Sequence, residues 1–363
     1  DEHRPRPFHE ASAGGRATVK TSALYLKIKT SAGLEGLYGP IDREAAAVVD
    51  QQIRTFLIGK DPLAGETVWD QMHRLSRHSR AGHFMMAISA IDNALWDLRG
   101  RYYGVPVYRL LGGPTRPDVE AYASCLGYSV EPPLAAKRAL EFQALGYRYE
   151  KWFLAYGPGD GPEGLRKNVE LVRTLREAVG DKTQLMFDAF MGWNLNYALA
   201  WARQVEPYRP FWIEEAFQPD KIDSFAALRR STGVPVASGE HIYARWDAHR
   251  YLKADALNYL QTDPEWCGGV SELVKICTLA SLYDVQVIPH GHSLHAALHV
   301  VASQSPNTCP LVEYLVRKME SHHHFEKYPP RMTGCRIALP ERPGFGIELD
   351  PSKVESQTPV KYS

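Results

Sequence analysis

The strongest constraint on the fold is a regular alternation of strand-like and helical segments that begins after Pro114. The strand-like segments are short and rich in Val, Ile, Leu, Phe and Trp, and each is followed by a segment with apolar residues three and four apart, as in an amphipathic helix. Strands that alternate with helices form parallel sheets through right-handed crossovers. Eight such units in about 200 residues predict a closed (β/α) barrel of the TIM type. The strand candidates are VEAYAS, YEKWF, QLMFD, FWIEE, VPVASGE, NYLQTD, VQVIPHG and PLVEYL.

The segments on either side of this region have different patterns. Residues 17–30 alternate apolar and polar side chains, as a strand with one buried face does. Residues 43–112 have helical spacing, and the chain after Glu313 is rich in Pro and Gly until residues 344–350, which are again strand-like. We therefore expect a modified barrel with an N-terminal α+β capping domain that the C-terminal segment completes. The expected boundaries are 1–113 for the capping domain, 114–325 for the barrel and 326–363 for the C-terminal segment.

Charge and cysteine content exclude several classes of protein. Lys+Arg and Asp+Glu both number 42, and no basic block indicates nucleic-acid binding. The longest apolar stretches, such as Phe84–Ile91, are too short to cross a bilayer, and the charged start DEHRPRP is unlike a secretory signal. The 5 cysteines are scattered, without CxxC spacing, which indicates reduced thiols. We expect a cytoplasmic protein that acts on a small molecule, without nucleic-acid or membrane partners.

Seven successive strand candidates carry an ionisable residue near their carboxyl ends, where the active sites of such barrels lie. Asp188, Glu214 and Glu240 are 26 residues apart at each step, and three converging carboxylates suit a hard cation such as Mg²⁺. Asp263 and His290 are 27 residues apart on neighbouring strands, and an Asp beside a His favours a general base. The complete set is Lys151, Asp188, Glu214, Glu240, Asp263, His290 and Glu313.

Almost the whole chain resembles the enolase superfamily, in its mandelate racemase and muconate lactonizing enzyme branch, and within that branch the acid-sugar dehydratases. This resemblance implies a Mg²⁺-dependent lyase that dehydrates a sugar acid, an aldonate similar to L-rhamnonate, to a 2-keto-3-deoxy acid through an enediolate. It also implies a homo-oligomer. The segments that carry it are AISAIDNALWDLRG (87–100), MFDAF (186–190), WIEEAF (212–217), SGEH (238–241), QTDPEWCGG (261–269), IPHGHS (288–293) and PGFGIEL (343–349).

The resemblance also implies roles for individual side chains. His290 would be the general base that takes the 2-proton and then the acid that protonates the leaving hydroxyl. Lys151 would add positive charge, and Glu313, if protonated, would donate a hydrogen bond to the enediolate opposite the metal. The candidates for substrate binding are His241, His292, Trp193, Asn194 and His9.

One departure from the family pattern separates the possible reactions. Many relatives have Lys-x-Lys at the second barrel strand, whereas this chain has Lys151-Trp152-Phe153. The second Lys is the opposite-face base of the racemases, so Phe153 disfavours a racemase or epimerase. A cycloisomerase and a non-catalytic binding protein remain as alternatives. The HGH sequence at 290–292 also occurs in zinc hydrolases, but there it comes early in the barrel, whereas here it follows three carboxylates.

Overall fold

The N-terminal region combines a two-stranded antiparallel sheet with helices in the computed structural model, which describes residues 21–362. Strand β1 lies within the segment predicted as a strand, of which residues 17–20 are outside the described part. Its partner β2 follows it, and the sequence pattern EGLY was too short and too irregular to predict that strand. We call residues 21–113 the capping region. Its elements are β1 (Leu26–Lys29), β2 (Glu35–Tyr38), α1 (Arg43–Val48), a π-helical turn (Val49–Ile53), α2 (Arg54–Leu57), α3 (Gly65–Leu75), α4 (Gly82–Tyr103) and α5 (Val107–Leu110).

Helix α4 is the central element of the capping region. Most of its own residues from Phe84 to Gly100 are buried, and many of them are small or aliphatic, so the helix is covered on most sides. Gly36 of β2 lies directly on it, since a Cβ at Gly36 would come within 2.7 Å of the Leu98 Cβ. The helix ends at Gly104, whose φ of 70° is the left-handed conformation that glycine adopts without strain.

Eight parallel strands form the predicted barrel. They pair in sequence order, and the eighth returns to pair in parallel with the first. Among the described residues no ladder joins the seventh strand to the eighth, but the Val287 N–H donates a hydrogen bond of 2.8 Å to the Thr308 carbonyl across this gap. The strands are β3 (Asp118–Ser124), β4 (Tyr149–Phe153), β5 (Gln184–Asp188), β6 (Trp212–Glu214), β7 (Val236–Ser238), β8 (Tyr259–Leu260), β9 (Gln286–Val287) and β10 (Leu311–Leu315).

Helices follow each barrel strand, as the alternating pattern predicted. The last of them was not predicted, because it lies in the stretch interpreted as rich in Pro and Gly. Short 3₁₀ turns lie at Pro158–Asp160, Gly180–Lys182 and Glu206–Tyr208. The helices are α6 (Pro132–Ala144), α7 (Gly161–Val179), α8 (Leu195–Val205), α9 (Ile222–Ser231), α10 (Ala244–Lys253), α11 (Val270–Ser281), α12 (His295–Ser303) and α13 (Val316–His322).

The interior of the barrel is layered by the two-residue period of its strands. An apolar cluster contains Met186, Trp212 and Leu311. Each of these residues precedes by two positions a carboxylate of the predicted site, so the carboxylates lie on the same face, one layer higher. The apolar layer is therefore the floor on which the charged groups stand.

The C-terminal segment contacts both other parts of the molecule. Strands β11 (Met332–Thr333) and β12 (Arg336–Ala338) form a hairpin, and β12 pairs antiparallel with β3. The prediction of a strand at residues 344–350 was wrong: this segment makes isolated bridges from Gly344 to Pro106 and from Leu349 to Glu326. Gly344 and Gly346 have φ of 72° and 74°, which interrupts an extended conformation. A last 3₁₀ turn lies at Pro351–Lys353.

No helix in residues 21–362 combines the length and the apolar character needed to cross a membrane.

Candidate active site

A buried ammonium group surrounded by carboxylates lies above the apolar floor of the barrel. The Lys151 side chain is 2% exposed, and its Nζ lies 2.9 Å from Glu313 Oε1 and 3.5 Å from Asp188 Oδ2. It also hydrogen-bonds to Glu214 Oε1. Burial alone would lower the pKa of Lys151, but Glu214 and Glu313 outweigh it and raise the pKa above the usual value. Lys151 is therefore a fixed positive charge in the floor of the site.

The three predicted metal ligands are carboxyl groups that are hard to ionise. Burial is the main cause in each case, and it raises the pKa of Asp188 to about 7, of Glu214 to about 8 and of Glu240 to about 7. Lys151 acts in the opposite direction on all three, whereas neighbouring carboxylates raise the pKa of Asp188 and Glu214 further. Near neutral pH the site thus retains protons that a positive charge would displace.

Glu240 lies two residues beyond the end of β7 and faces the mouth of the barrel. Its Oε2 lies 3.7 Å from His290 Nε2, and its Oε1 lies 3.6 Å from His241 Nδ1. Donor atoms of Glu215, Glu240 and His241 all lie within 4.8 Å of one another. Glu240 therefore connects the carboxylate cluster around Lys151 with the histidines at the rim.

Asp263 and His290, the predicted dyad, are in direct contact. His290 Nδ1 lies 2.6 Å from Asp263 Oδ2, so Nδ1 carries the proton shared with Asp263, and Nε2 faces inward. There Nε2 lies 3.7 Å from one carboxylate oxygen each of Glu240 and Glu313. Burial lowers the pKa of His290, but Glu240, Glu313 and Asp263 together raise it to about 10. These carboxylates thus favour the imidazolium form of His290, and a positive charge beside Glu240 would lower the pKa of His290 again.

Glu313 lies between the Lys151 ammonium and the imidazole of His290, with Oε1 2.9 Å from Lys151 Nζ and Oε2 3.7 Å from His290 Nε2. Burial raises its pKa, but Lys151 and His290 outweigh burial and lower the pKa to about 2. Its Oε2 also accepts a hydrogen bond of 3.1 Å from the Gly291 N–H. Glu313 therefore joins the Lys151 ammonium to the loop that carries His290.

The two histidines proposed as substrate ligands have different surroundings. His241 is 31% exposed, its Nδ1 lies 3.3 Å from Glu215 Oε2, and its ring centroid lies 5.5 Å from that of Trp266. His292 uses both ring nitrogens: Nδ1 lies 2.6 Å from Glu265 Oε2, and Nε2 lies 3.4 Å from Asp42 Oδ1. Of these two histidines, His241 is thus the more exposed, and the two ring nitrogens of His292 both face carboxylates.

Three predicted substrate-binding residues remain. Two of them, Trp193 and Asn194, use the polar groups of their side chains in bonds to the backbone, and the third lies outside the described part. The Trp193 Nε1–H donates a hydrogen bond of 2.8 Å to the Tyr156 carbonyl. Asn194 caps helix α8, since its Oδ1 accepts a hydrogen bond of 3.0 Å from the Tyr197 N–H. His9 lies outside residues 21–362.

Trp266 is a residue of the site that sequence reasoning missed. Its ring lies among three histidines, with centroid distances of 4.9 Å to His290, 5.2 Å to His292 and 5.5 Å to His241. It follows Asp263 by three positions, so its place after a strand end was a usable signal.

The side of Lys151 where relatives carry a second base is apolar in this chain. Phe153 is buried, with its ring centroid 5.6 Å from Lys151 Nζ and 6.3 Å from the Phe190 ring. No atom of a phenyl ring accepts or donates a proton, so Phe153 cannot serve as a second base.

Comparison with known proteins agrees with this geometry. Residues 1–112 match the N-terminal domain of the mandelate racemase / muconate lactonizing enzyme family, and residues 135–353 match the enolase C-terminal domain-like family. The chain belongs to this branch of the enolase superfamily. L-rhamnonate dehydratase from Saccharopolyspora erythraea is 34% identical over 342 residues, which cover 92% of this chain and 82% of that protein.

Two solved structures of the superfamily are similar over most of their length. Rhamnonate dehydratase from Gibberella zeae complexed with Mg has a TM-score of 0.81 and 34% identity, over 91% of this chain and 80% of that one. The 3,6-anhydro-D-galactonate cycloisomerase from Zobellia galactanivorans has a TM-score of 0.80 and 30% identity, over 91% and 92%. The fold is thus shared by enzymes with different reactions.

Proposed function

We propose that this enolase-superfamily protein is a Mg²⁺-dependent hydro-lyase that dehydrates a sugar acid similar to L-rhamnonate to a 2-keto-3-deoxy acid. The observation that carries the proposal is the His290–Asp263 dyad, which faces the carboxylate cluster while Phe153 occupies the opposite side. The similarity to enzymes named as rhamnonate dehydratases supports this reaction over others in the superfamily.

The chemistry of the donor set fits Mg²⁺. Asp188, Glu214 and Glu240 offer only carboxylate oxygens, the ligands that this ion prefers. Their pKa values are raised by burial, so a divalent cation would supply the positive charge that lets all three ionise together. When bound, Mg²⁺ would stabilise the negative charge that develops on the substrate carboxylate as the 2-proton leaves.

The residues of this chain then account for both proton transfers. His290 Nε2 takes the proton from the carbon next to the carboxylate, while Asp263 holds Nδ1. Lys151 adds a fixed positive charge for the resulting enediolate. The same His290 returns its proton to the leaving 3-hydroxyl, water departs, and the enol tautomerises to the 2-keto acid. The overall change is the loss of one water.

A cycloisomerase is the second candidate, because it needs the same first proton transfer and because the Zobellia enzyme is 30% identical. Both reactions use one base, so Phe153 does not separate them, whereas it disfavours two-base epimerisation. Products separate them: dehydration yields a 2-keto-3-deoxy acid and water, whereas cycloisomerisation yields an isomer of the substrate.

Screening acid sugars for 2-keto acid formation with Mg²⁺ tests the reaction, and His290→Asn tests the base. General base catalysis is worth about 10²–10⁴-fold, so we expect His290→Asn to lose at least about 100-fold in kcat while it still binds Mg²⁺. His249→Asn, which changes an exposed histidine of α10 beside Tyr283, is the matched control.

Two outcomes would contradict the proposal. Turnover of His290→Asn within about tenfold of wild type would remove His290 as the base. A dehydrated product that retains the 2-proton of the substrate would exclude enediolate chemistry altogether.

A further inference from the structure

A chain of hydrogen-bonded side chains links the capping region to the loops that carry the dyad. Asp42, which precedes α1, lies 3.4 Å from His292 Nε2, and His292 Nδ1 lies 2.6 Å from Glu265 Oε2. The Tyr38 hydroxyl donates a second bond of 2.8 Å from the capping region to Glu265 Oε1. Tyr38, Glu265 and the His292 ring are all buried or nearly so.

The barrel end of this chain holds the orienting carboxylate of the dyad. The Glu265 N–H donates a hydrogen bond of 2.6 Å to Asp263 Oδ1, and the His292 N–H donates one of 3.2 Å to Asp263 Oδ2. That Oδ2 is also the atom that contacts His290. Glu265 and His292 therefore hold Asp263 through their backbone N–H groups and contact the capping region through their side chains.

We propose that Asp42, His292 and Glu265 form a cap–barrel clamp that orients the Asp263–His290 dyad when the capping region is in contact with the barrel. This inference rests on the proposed function and names three positioning residues for it. None of the three needs to touch the reacting atoms, because their effect passes through the amides that hold Asp263.

The charges of the clamp fit this role better than substrate binding. The imidazole of His292 lies between two carboxylates, and although burial lowers its pKa, Asp42 and Glu265 raise it to about 9. A charged imidazolium with a carboxylate at each nitrogen has no free donor for a sugar hydroxyl. Trp266 packs between the His290 and His292 rings, so a shift of the clamp also displaces the face of the catalytic imidazole.

Conservative replacements that remove one charge of the clamp test the inference. We expect Asp42→Asn and Glu265→Gln to lower kcat by about 10–100-fold, the effect of a misplacement near 1 Å, with KM within about threefold. Exchange of the substrate 2-proton in heavy water should fall in parallel, and Mg²⁺ affinity should not change. Asp70→Asn, at an exposed ion pair of α3 in the capping region, is the matched control and should retain wild-type kcat.

Two further variants distinguish a specific loss of the clamp from a general loss of folding. Asp42→Glu keeps the carboxylate and should recover most of the turnover lost in Asp42→Asn. Tyr38→Phe keeps the packing of the ring on Phe345, removes the hydrogen bond from the capping region to Glu265 but leaves the contact of Glu265 with His292, and should lower kcat by a smaller factor.

The results separate the clamp from the proposed function. If the wild type dehydrates no acid sugar, the proposed function fails. If the wild type is active but Asp42→Asn and Glu265→Gln match Asp70→Asn, the clamp is overturned. A raised KM at unchanged kcat, or wild-type 2-proton exchange, would also overturn it, since either places these residues outside the orientation of the base.

Discussion

Asp188, Glu214 and Glu240 lie at or just beyond the ends of three successive strands, and burial raises the pKa of each carboxyl group. Their regular spacing follows from one carboxylate at each successive strand end, so their convergence could be predicted from the sequence alone. Their ionisation could not, because raised pKa values arise from burial that only the packed barrel creates. Their role as ligands remains a prediction.

The pH dependence of Mg²⁺ binding tests these carboxylates. Groups with pKa values of about 7 to 8 hold protons below that range, and a cation must displace these protons to bind. We therefore expect the Kd for Mg²⁺, measured by calorimetry in several buffers, to increase steeply as the pH falls below about 7, with proton release on binding. Affinity that is unchanged between about pH 6 and 9 would contradict the assignment of the ligands.

Other residues of the site carry no signal of this kind. Asp42 and Glu265 lie in loops, and nothing in their local sequence indicates that they meet on opposite sides of His292. The same holds for the lowered pKa of Glu313, which depends on the buried ammonium of Lys151 beside it. Pairings between distant loops are products of tertiary packing, which a one-dimensional pattern does not encode.

At the scale of elements, repeated helices and strands were predictable, and short or irregular ones were not. The eight-fold alternation places every barrel strand, although β8 and β9 contain only two residues each in ladders. Helix α13 and the β11–β12 hairpin were missed because their segments are short and lie in the stretch interpreted as rich in Pro and Gly.

The contact between α4 and the C-terminal segment requires a residue without a Cβ at position 100. A Cβ at Gly100 would lie 2.5 Å from the Gly344 Cα and 2.6 Å from its N. We expect Gly100→Ala to lower the free energy of unfolding by about 1 kcal/mol or more, because backbone overlap costs about 1–3 kcal/mol and exceeds the helix propensity gained. Urea unfolding would measure this.

Gly159→Ala is the matched control, since a Cβ there has no described atom within 4 Å and the φ is not in the left-handed region. A Gly100→Ala variant as stable as wild type would show that α4 and residue 344 separate without cost.

At the scale of the whole molecule, we propose the division into 1–113, 114–325 and 326–363. The last segment joins the other two: β12 extends the barrel sheet at β3, while the Phe345 N–H donates a hydrogen bond of 2.9 Å to Asp97 of α4. The capping region is thus held to the barrel by the far end of the chain as well as by its own contacts.

Removal of the part of this segment that follows β12 should weaken the cap before the barrel. A chain that ends at Pro340 loses Phe345 and Ile347, each 1% exposed, and burial of such side chains is worth about 1.5–3 kcal/mol apiece. We expect the Tm to fall by about 5–10 °C and kcat to fall with it, because Tyr38 packs on Phe345. A chain that ends at Pro359, which loses only terminal residues, is the control. An unchanged Tm for the shorter chain would contradict the proposed division.

The short ladders of β7, β8 and β9 determine which residues of the site are held by strand pairing and which are held by loops. Glu240, Asp263 and His290 lie two or three residues past the last paired position, on loop backbone, whereas Lys151 and Glu313 lie within strands. Exchanges in these loops would therefore move Glu240 and the Asp263–His290 dyad relative to Lys151 while the paired strands beneath stay unchanged. Strand pairing fixes the buried ammonium and Glu313, whereas the position of the dyad depends on loop conformation and on the residues that hold these loops.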